Sequence, residues 1–325
     1  MDKSGAHGPI IAKADATAIS RAAGLLREGR LVAFPTETVY GLGADATSDE
    51  AVAGVFEAKA RPQFNPLIVH VADVAVARRL GRFGPAAQAL ADAFWPGPLT
   101  LVVPRAKDCP VSLLASAGLD TLALRVPAHP VAHALLVATG RPVVAPSANP
   151  SGRLSPTAAA HVAEGLGTSV AMILDGGRCA IGIESTIVGV AGDTPVLLRA
   201  GAIERSAIET VLGQALAAPR NDVDRPSAPG QLASHYAPRA ALRLDAKTIN
   251  AGEALLAFGD DLPEHGGAML NLSKTANLRE AAANLFAHLR ALDATGAATI
   301  AVMPIPHEGL GEAINDRLAR AAAPR

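Results

Sequence analysis

Cysteine is nearly absent from this chain. Two residues of 325, Cys109 and Cys179, stand far apart with no C-x-x-C pair. A disulfide framework and a cysteine-built zinc site are therefore excluded, and a reducing, cytoplasmic setting is predicted. Net charge is nearly absent too: 29 Lys and Arg stand against 30 Asp and Glu, a formal −1. That disfavours a protein coating nucleic acid through a generally basic surface, although a local basic groove stays open. No apolar run approaches the roughly 18–20 residues of a membrane span. The opening MDKSGAHGPI has no apolar stretch for a secretory signal, so a soluble protein with no membrane partner is expected. Nor is there a G-x-x-x-x-G-K-[ST], which excludes P-loop chemistry. Aromatics make up only 3% of residues while half are apolar. Ala, Leu and Val dominate that half, a composition suited to α/β layers in a chain long enough for two domains.

Between Asp15 and about Ala217, stretches of helical period alternate with short apolar runs. Thr17 is placed to cap a helix bearing Ile19, Ala22, Ala23 and Leu26 on one face. Ser48 opens a second with Val52, Val55 and Phe56. Strands are expected at 31–34, 67–71, 99–103, 121–126, 143–145, 171–174, 185–190 and 196–199. Further helices are expected near 85–94, 130–139, 157–164 and 206–217. The pattern implies one α/β domain over 10–217. Composition then changes: APRNDVDRPSAPGQLASHYAPR, at 218–239, is rich in proline and poor in branched apolar residues, and reads as a linker. Beyond it, strands at 241–244, 254–258, 268–272 and 299–304 and helices at 277–293 and 309–322 make a smaller α/β unit over 240–325.

Five segments carry candidate chemistry. FPTETVYGLG, at 34–43, leaves a strand at a proline and sets hydroxyls, a carboxylate and a phenol before two glycines. Such a loop either lines a ligand site or simply makes a Ser/Thr turn. KARPQFNPLIVH, at 59–70, puts Lys59 and Arg61 at a helix end, where they either offset the helix dipole or clamp a polyphosphate. Alternation places His70 with Ile68 on one strand face. In TLALRVP, at 121–127, Thr121, Ala123 and Arg125 share a face, leaving room for an anion beside the arginine. VVAPSANPSG, at 143–152, runs from a strand into a loop of small and hydroxyl residues. Ser155 and Pro156 follow as a good helix start. Finally GIESTIV, at 182–188, and LLRAG, at 197–201, bring Ser185, outside any G-x-S-x-G elbow, and Arg199 at a strand end. Four cations interleaved with hydroxyl-rich loops point to an anionic ligand such as a nucleotide.

In this order, PTETVYGLG, KARPxxNPLIVH, TLALRVP, PSANxSG, ESTIV and LRxG are similar to the signature blocks of the Sua5/YrdC family. HYAP in the linker and the trailing unit resemble its longer, two-domain Sua5 form. The resemblance implies a YrdC-like open twisted α/β sheet domain with a positively charged cavity, and a second, smaller Rossmann-like Sua5 domain. It implies a nucleotidyltransferase, L-threonylcarbamoyladenylate synthase, acting on L-threonine, bicarbonate and ATP, with Mg2+ carried mainly by the ATP phosphates and no protein-only metal site. Position by position, it assigns threonine contacts to Thr38, His70, Arg125, Ala145 and Ser185. ATP contacts fall to Arg61, Asn65, Thr121, Ser147, Ser155, Arg199 and His235, and Lys59 joins Arg61 as a basic catalytic pair. Phe64 departs from the polar residue common there. The product would feed a threonylcarbamoyl-transferase for modification of tRNA position 37, with no stable nucleic-acid binding required. His235 and Tyr236, side chains an inert tether does not need, suit a linker that covers the nucleotide. Two rivals are a double-stranded-RNA module and a hydrogenase-maturation carbamoyltransferase. Charge counts against the first, and the lack of zinc-finger cysteines against the second.

Overall fold

The computed structural model describes residues 8–219, 228–230 and 234–324. Parts of the expected linker, 220–227 and 231–233, thus lie outside the described residues. The chain begins with β1 (Ile10–Lys13), α1 (Ala16–Arg27), β2 (Val32–Phe34), β3 (Gly41–Asp45), α2 (Asp49–Lys59) and β4 (Ile68–His70). Next come α3 (Val74–Leu80), α4 (Pro85–Phe94), β5 (Leu99–Pro104), β6 (Thr121–Arg125), α5 (Pro130–Thr139) and β7 (Val143–Val144). This part closes with α6 (Ala159–Leu166), β8 (Met172–Asp175), β9 (Thr186–Gly189), β10 (Val196–Arg199) and α7 (Arg205–Leu212). A second unit holds β11 (Ala241–Arg243), β12 (Ala254–Ala257), β13 (Met269–Asn271), α8 (Leu278–Asp293), β14 (Thr299–Val302) and α9 (Leu310–Ala322).

Local chemistry explains where the elements depart from the pattern. Helix α1 is capped by Asp15, whose Oδ1 accepts from the Ala18 N–H at 2.8 Å, and not by Thr17. A carboxylate at that position also meets the positive end of the helix. Gly41 and Gly43 belong to a strand, not to a ligand loop. A Cβ on Gly43 would stand 2.9 Å from Cε1 of Phe34, and one on Gly41 3.1 Å from Cβ of Ala145. Glycine there makes room for the neighbouring side chains.

The ten-stranded sheet runs β1-β8-β2-β3-β7-β4-β6-β5-β9-β10 and mixes parallel and antiparallel pairs. Helix α1 packs on α5 over one face, around Ala22, Leu26, Phe34 and Leu135, while Val52, Val55, Leu90 and Leu101 belong to a second cluster. The small sheet, β11-β14-β12-β13, is wholly parallel. Its core around Leu256, Leu285, Phe286 and Ile314 also takes in Val39, Leu154, Ile183 and Tyr236 from outside that unit. The two units therefore share apolar surface. Contact is close at Gly182, with φ +79°, where a Cβ would stand 2.5 Å from the Ala282 carbonyl oxygen. Among the described residues no helix is long and apolar enough to cross a membrane.

Candidate active site

Parallel pairing of β4 with β6 sets His70 opposite Arg125. The two side chains therefore lie side by side at the carboxyl ends of neighbouring strands, where open α/β sheets hold ligands. Around them Thr38, Arg61, Ile68, Ala145, Ser147, Glu184, Ser185 and Arg199 line a cavity that Pro229, Gly230, His235 and Tyr236 cover. The enclosed space is about 40 Å3, room for a few waters and far too little for a nucleotide. A nucleotide needs more room than the described residues leave here. A larger hollow of about 1230 Å3 lies at the rim of the small sheet. Its Glu253 is already held by Arg243 and Asn250, and it lacks convergent charge.

All five residues expected to read threonine meet in this cavity, as do Arg61, Ser147, Arg199 and His235. Thr36 and Thr38 divide the two readings of their loop. The Thr36 hydroxyl donates to the Val39 carbonyl at 2.7 Å and accepts from the Thr38 and Val39 N–H groups, so it is the turn residue. Thr38 Oγ1 instead accepts from Arg125 Nη2 at 3.0 Å. The same Nη2 reaches Glu37 Oε1 at 2.6 Å, while Nε of Arg125 is buried without a partner. Burial opposes ionisation of Glu37, but the Arg125 charge and hydrogen bonds outweigh it and hold the carboxyl below its ordinary range. His70 is pulled down to about 3 by burial and by the Arg125 charge, so it is neutral at pH 7. Its Nδ1 lies 3.3 Å from the Ile68 carbonyl oxygen, which assigns the proton to Nδ1 and leaves Nε2 as an acceptor.

The other half of the cavity is cationic. Arg199 donates through Nε and Nη2 to the Ser185 carbonyl at 3.1 and 2.9 Å, and through Nη2 to the Ser185 hydroxyl at 3.1 Å. The Ser185 hydroxyl also bonds Thr100 at 2.8 Å. Arg61 donates to the carbonyls of Asn65 and Pro66. Burial, with the Arg199 charge adding to it, brings Arg61 down to about 10. Among the described residues no carboxylate pairs with Lys59, Arg61 or Arg199, although all three are buried. Uncompensated buried cations are costly, and an anion placed between them would offset that cost.

Four expected residues stand outside the lining. Lys59 is 1% exposed and its Nζ donates to the carbonyls of Ser147, at 2.6 Å, and Asn149. It holds the 146–150 loop from beneath, and burial together with the Arg61 charge lowers its pKa well below the ordinary value. Asn65 is buried beside Arg61 with neither amide atom partnered. Thr121 opens β6 opposite Pro104. Ser155 is not a helix cap: α6 starts at Ala159, and the Ser155 hydroxyl donates to Glu184 Oε1 at 2.5 Å. Phe64 is exposed.

Two residues escaped the sequence reading. Glu184, inside the ESTIV block, is fully buried. Burial opposes its charge, but Arg317, Arg199 and Ser155 outweigh this and lower its pKa. Arg317, on α9, donates from Nε to Glu184 Oε2 at 2.8 Å. A signal was present: Arg317 shares the apolar stripe of α9 with Leu310, Ala313, Ile314, Leu318 and Ala321. A cation on such a stripe needs a buried partner.

Residues 24–201 match the Sua5_yciO_yrdC family model, described as "Telomere recombination". Residues 203–323 match the Sua5_C model, described as "Threonylcarbamoyl-AMP synthase, C-terminal domain". A threonylcarbamoyl-AMP synthase of Pyrococcus abyssi is 42% identical over 320 residues, covering 94% of each chain. One from Bacillus subtilis is 41% identical, covering 94% of this chain and 93% of its own. The crystal structure of P. abyssi Sua5 complexed with L-threonine superposes with a TM-score of 0.88 at 38% identity, covering 97% of this chain and 96% of that one. The chain belongs to the Sua5/YrdC family, in the two-domain form that carries a Sua5 C-terminal domain.

Proposed function

We propose that this protein synthesises L-threonylcarbamoyl-AMP from L-threonine, bicarbonate or carbon dioxide, and ATP, releasing pyrophosphate. The product would serve the threonylcarbamoyl-adenosine modification at tRNA position 37 through a downstream transferase. One observation carries the proposal. A carboxylate-reading arginine with an unused buried donor, Arg125, adjoins two buried cations, Arg61 and Arg199, that no carboxylate pairs among the described residues. That combination suits an amino acid laid against a phosphate chain. It occurs in a chain 42% identical to a threonylcarbamoyl-AMP synthase.

In this reading Arg125 Nε takes the threonine carboxylate, with Thr38, Ala145 and Ser185 around it and neutral His70 accepting from the amino acid. The threonine nitrogen forms a bond to the carbon of carbon dioxide and loses a proton, giving the N-carboxy anion. Starting from bicarbonate, water leaves as well. A carbamate oxygen then attacks the ATP α-phosphorus in line, the α–β bridging bond breaks, and pyrophosphate departs with the electron pair. Arg61 and Arg199 offset the charge that gathers on the phosphates, as preorganised donors in a water-poor site do. Asn65, Thr121, Ser147, Ser155 and His235 complete the nucleotide side, and Lys59 keeps the 146–150 loop in place. Mg2+ arrives as part of the nucleotide substrate. The cavity's hydroxyls and cations suit phosphate oxygens, and among the described residues its one lining carboxylate, Glu184, is already engaged. The Ser185 hydroxyl is engaged by Arg199 and Thr100, and the displacement as written forms no covalent bond to the protein. The test is pyrophosphate release from ATP without tRNA. It should require both L-threonine and bicarbonate, and equal release without threonine would end the proposal.

A further inference from the structure

Helix α9 sends one buried side chain toward the cavity without entering it. Arg317 is 1% exposed and reaches three backbone or side-chain groups of other segments. Nε donates to Glu184 Oε2 at 2.8 Å, Nη2 donates to the Ala200 carbonyl at 2.9 Å, and the guanidinium lies 5.0 Å from the Tyr236 ring centroid. Its Nη1 bonds Asp316 at 2.6 Å.

Each of the three outward contacts stops one step short of a residue placed on the nucleotide. The other oxygen of Glu184 takes the Ser155 hydroxyl. Ala200 directly follows Arg199, and Tyr236 directly follows His235, with the His235 and Tyr236 rings 4.1 Å apart. Helix α9 also accepts the His235 N–H on the Arg320 carbonyl at 3.1 Å. Phe286 of α8 supports Tyr236 from another side, at 5.7 Å between centroids. By contrast, among the described residues the threonine-reading groups Thr38, His70 and Arg125 share no hydrogen bond with Arg317. Only Ser185 of that side, which follows Glu184 and accepts from Arg199, lies one step from it. Only a planar, permanently charged fork with donors on two edges and a face for the ring meets all three demands.

We propose that Arg317 is a positioning residue through which the C-terminal domain sets the nucleotide half of the cavity more than the threonine half. It acts through Glu184 on Ser155, through the Ala200 carbonyl on Arg199, and through Tyr236 on His235. The inference rests on the enzymatic proposal above, because the residues it serves are those assigned to ATP. It also gives the second domain a task in the chemistry beyond supporting the linker.

The experiment measures two affinities by calorimetry on the full chain, for α,β-methylene-ATP and for L-threonine, in Arg317→Met, Arg317→Lys and Glu184→Gln. In Arg317→Met the nucleotide affinity should fall by about tenfold or more, the scale of a lost charge-assisted contact. Threonine affinity should fall by about threefold at most, because only Ser185 of that side is joined to the network. Arg317→Lys, which keeps the charge but not the fork, should recover only part of the loss. In a Glu184→Gln background, the further cost of Arg317→Met should be smaller but persist, because the Ala200 and Tyr236 routes remain. Should Arg317→Met fail to fold, Arg317→Lys is judged by the same pair of affinities. Nucleotide affinity unchanged in a folded variant would overturn the inference. So would nucleotide and threonine affinity falling in proportion, the mark of a residue that only holds the fold together. An unsubstituted protein that binds neither ligand would instead count against the enzymatic proposal itself.

Discussion

Replacing Arg125 tests the threonine half of the site, and its neighbours dictate how the replacement must be made. Arg125 spends Nη2 on Glu37 and Thr38 and holds Nε in reserve. A substrate carboxylate on that free edge would gain about 1.5–3 kcal/mol, so losing it should weaken threonine binding by about 10- to 150-fold. Arg125→Met alone confounds this, because Glu37 is only 13% exposed. Stripping a buried carboxylate of its partner costs about 3–5 kcal/mol of stability. The sign of that cost can be checked. With Arg125 gone, burial is opposed only by two backbone hydrogen bonds, so the Glu37 pKa should rise from its lowered value. The stability lost in the single variant should then be largest at neutral pH and shrink as Glu37 is protonated at lower pH. Glu37→Gln removes the stranded charge. The measurement is therefore threonine calorimetry on Arg125→Met/Glu37→Gln against Glu37→Gln, with thermal melts of both. Unchanged threonine affinity in the folded double variant would refute the carboxylate-binding role.

In the unsubstituted protein the carboxyls of Glu37 and Glu184 are both held below the ordinary glutamate value of 4.5. Their contribution to stability should be complete above about pH 4.5 and lost as pH falls through the lowered values; a melting temperature flat from pH 6 to pH 3 would contradict this. Lys59→Met frees two buried carbonyls of the 146–150 loop and should cost about 1–3 kcal/mol in denaturant melts while weakening nucleotide binding more than threonine binding. Activity lost with no change in stability would instead mean that the ammonium touches substrate. The covering residues should behave as a lid: ATP should protect the segment around Ala228–Pro238 from protease. His235→Ala with Tyr236→Ala should lower product yield with the fold intact, as should truncation before Ser227. A soluble truncated chain that makes product at the full rate would rule the lid out.

Strand faces were legible where chemistry alternates. Ile68 with His70, and Thr121 with Arg125, follow the period of two that the sheet imposes. Helices with end signals, such as Pro85–Phe94 and Pro130–Thr139, were equally legible. Strand β3 was not, because GLGAD has poor strand propensity and is strand only through the packing of Phe34 and Ala145 against its glycines. Ser155 misled for a related reason: S-P-T makes a plausible helix start, yet a buried carboxylate claims the hydroxyl. The five threonine-side positions were legible only through the family resemblance, because hydrophobic periodicity does not reveal strand order. The Glu184–Arg317 pair did not follow, because it joins positions 133 residues apart on two domains. Only the misplaced charge on the α9 stripe hinted at it.

Carbon tracing tests the central claim most directly. The protein is incubated with ATP, L-threonine and carbon-13-labelled bicarbonate, without tRNA, and the nucleotide products are weighed by mass spectrometry. The account predicts one adduct of threonine and AMP that carries the labelled carbon, formed in step with pyrophosphate. An unlabelled threonyl-AMP, or pyrophosphate and AMP with no labelled adduct at any time, would contradict it.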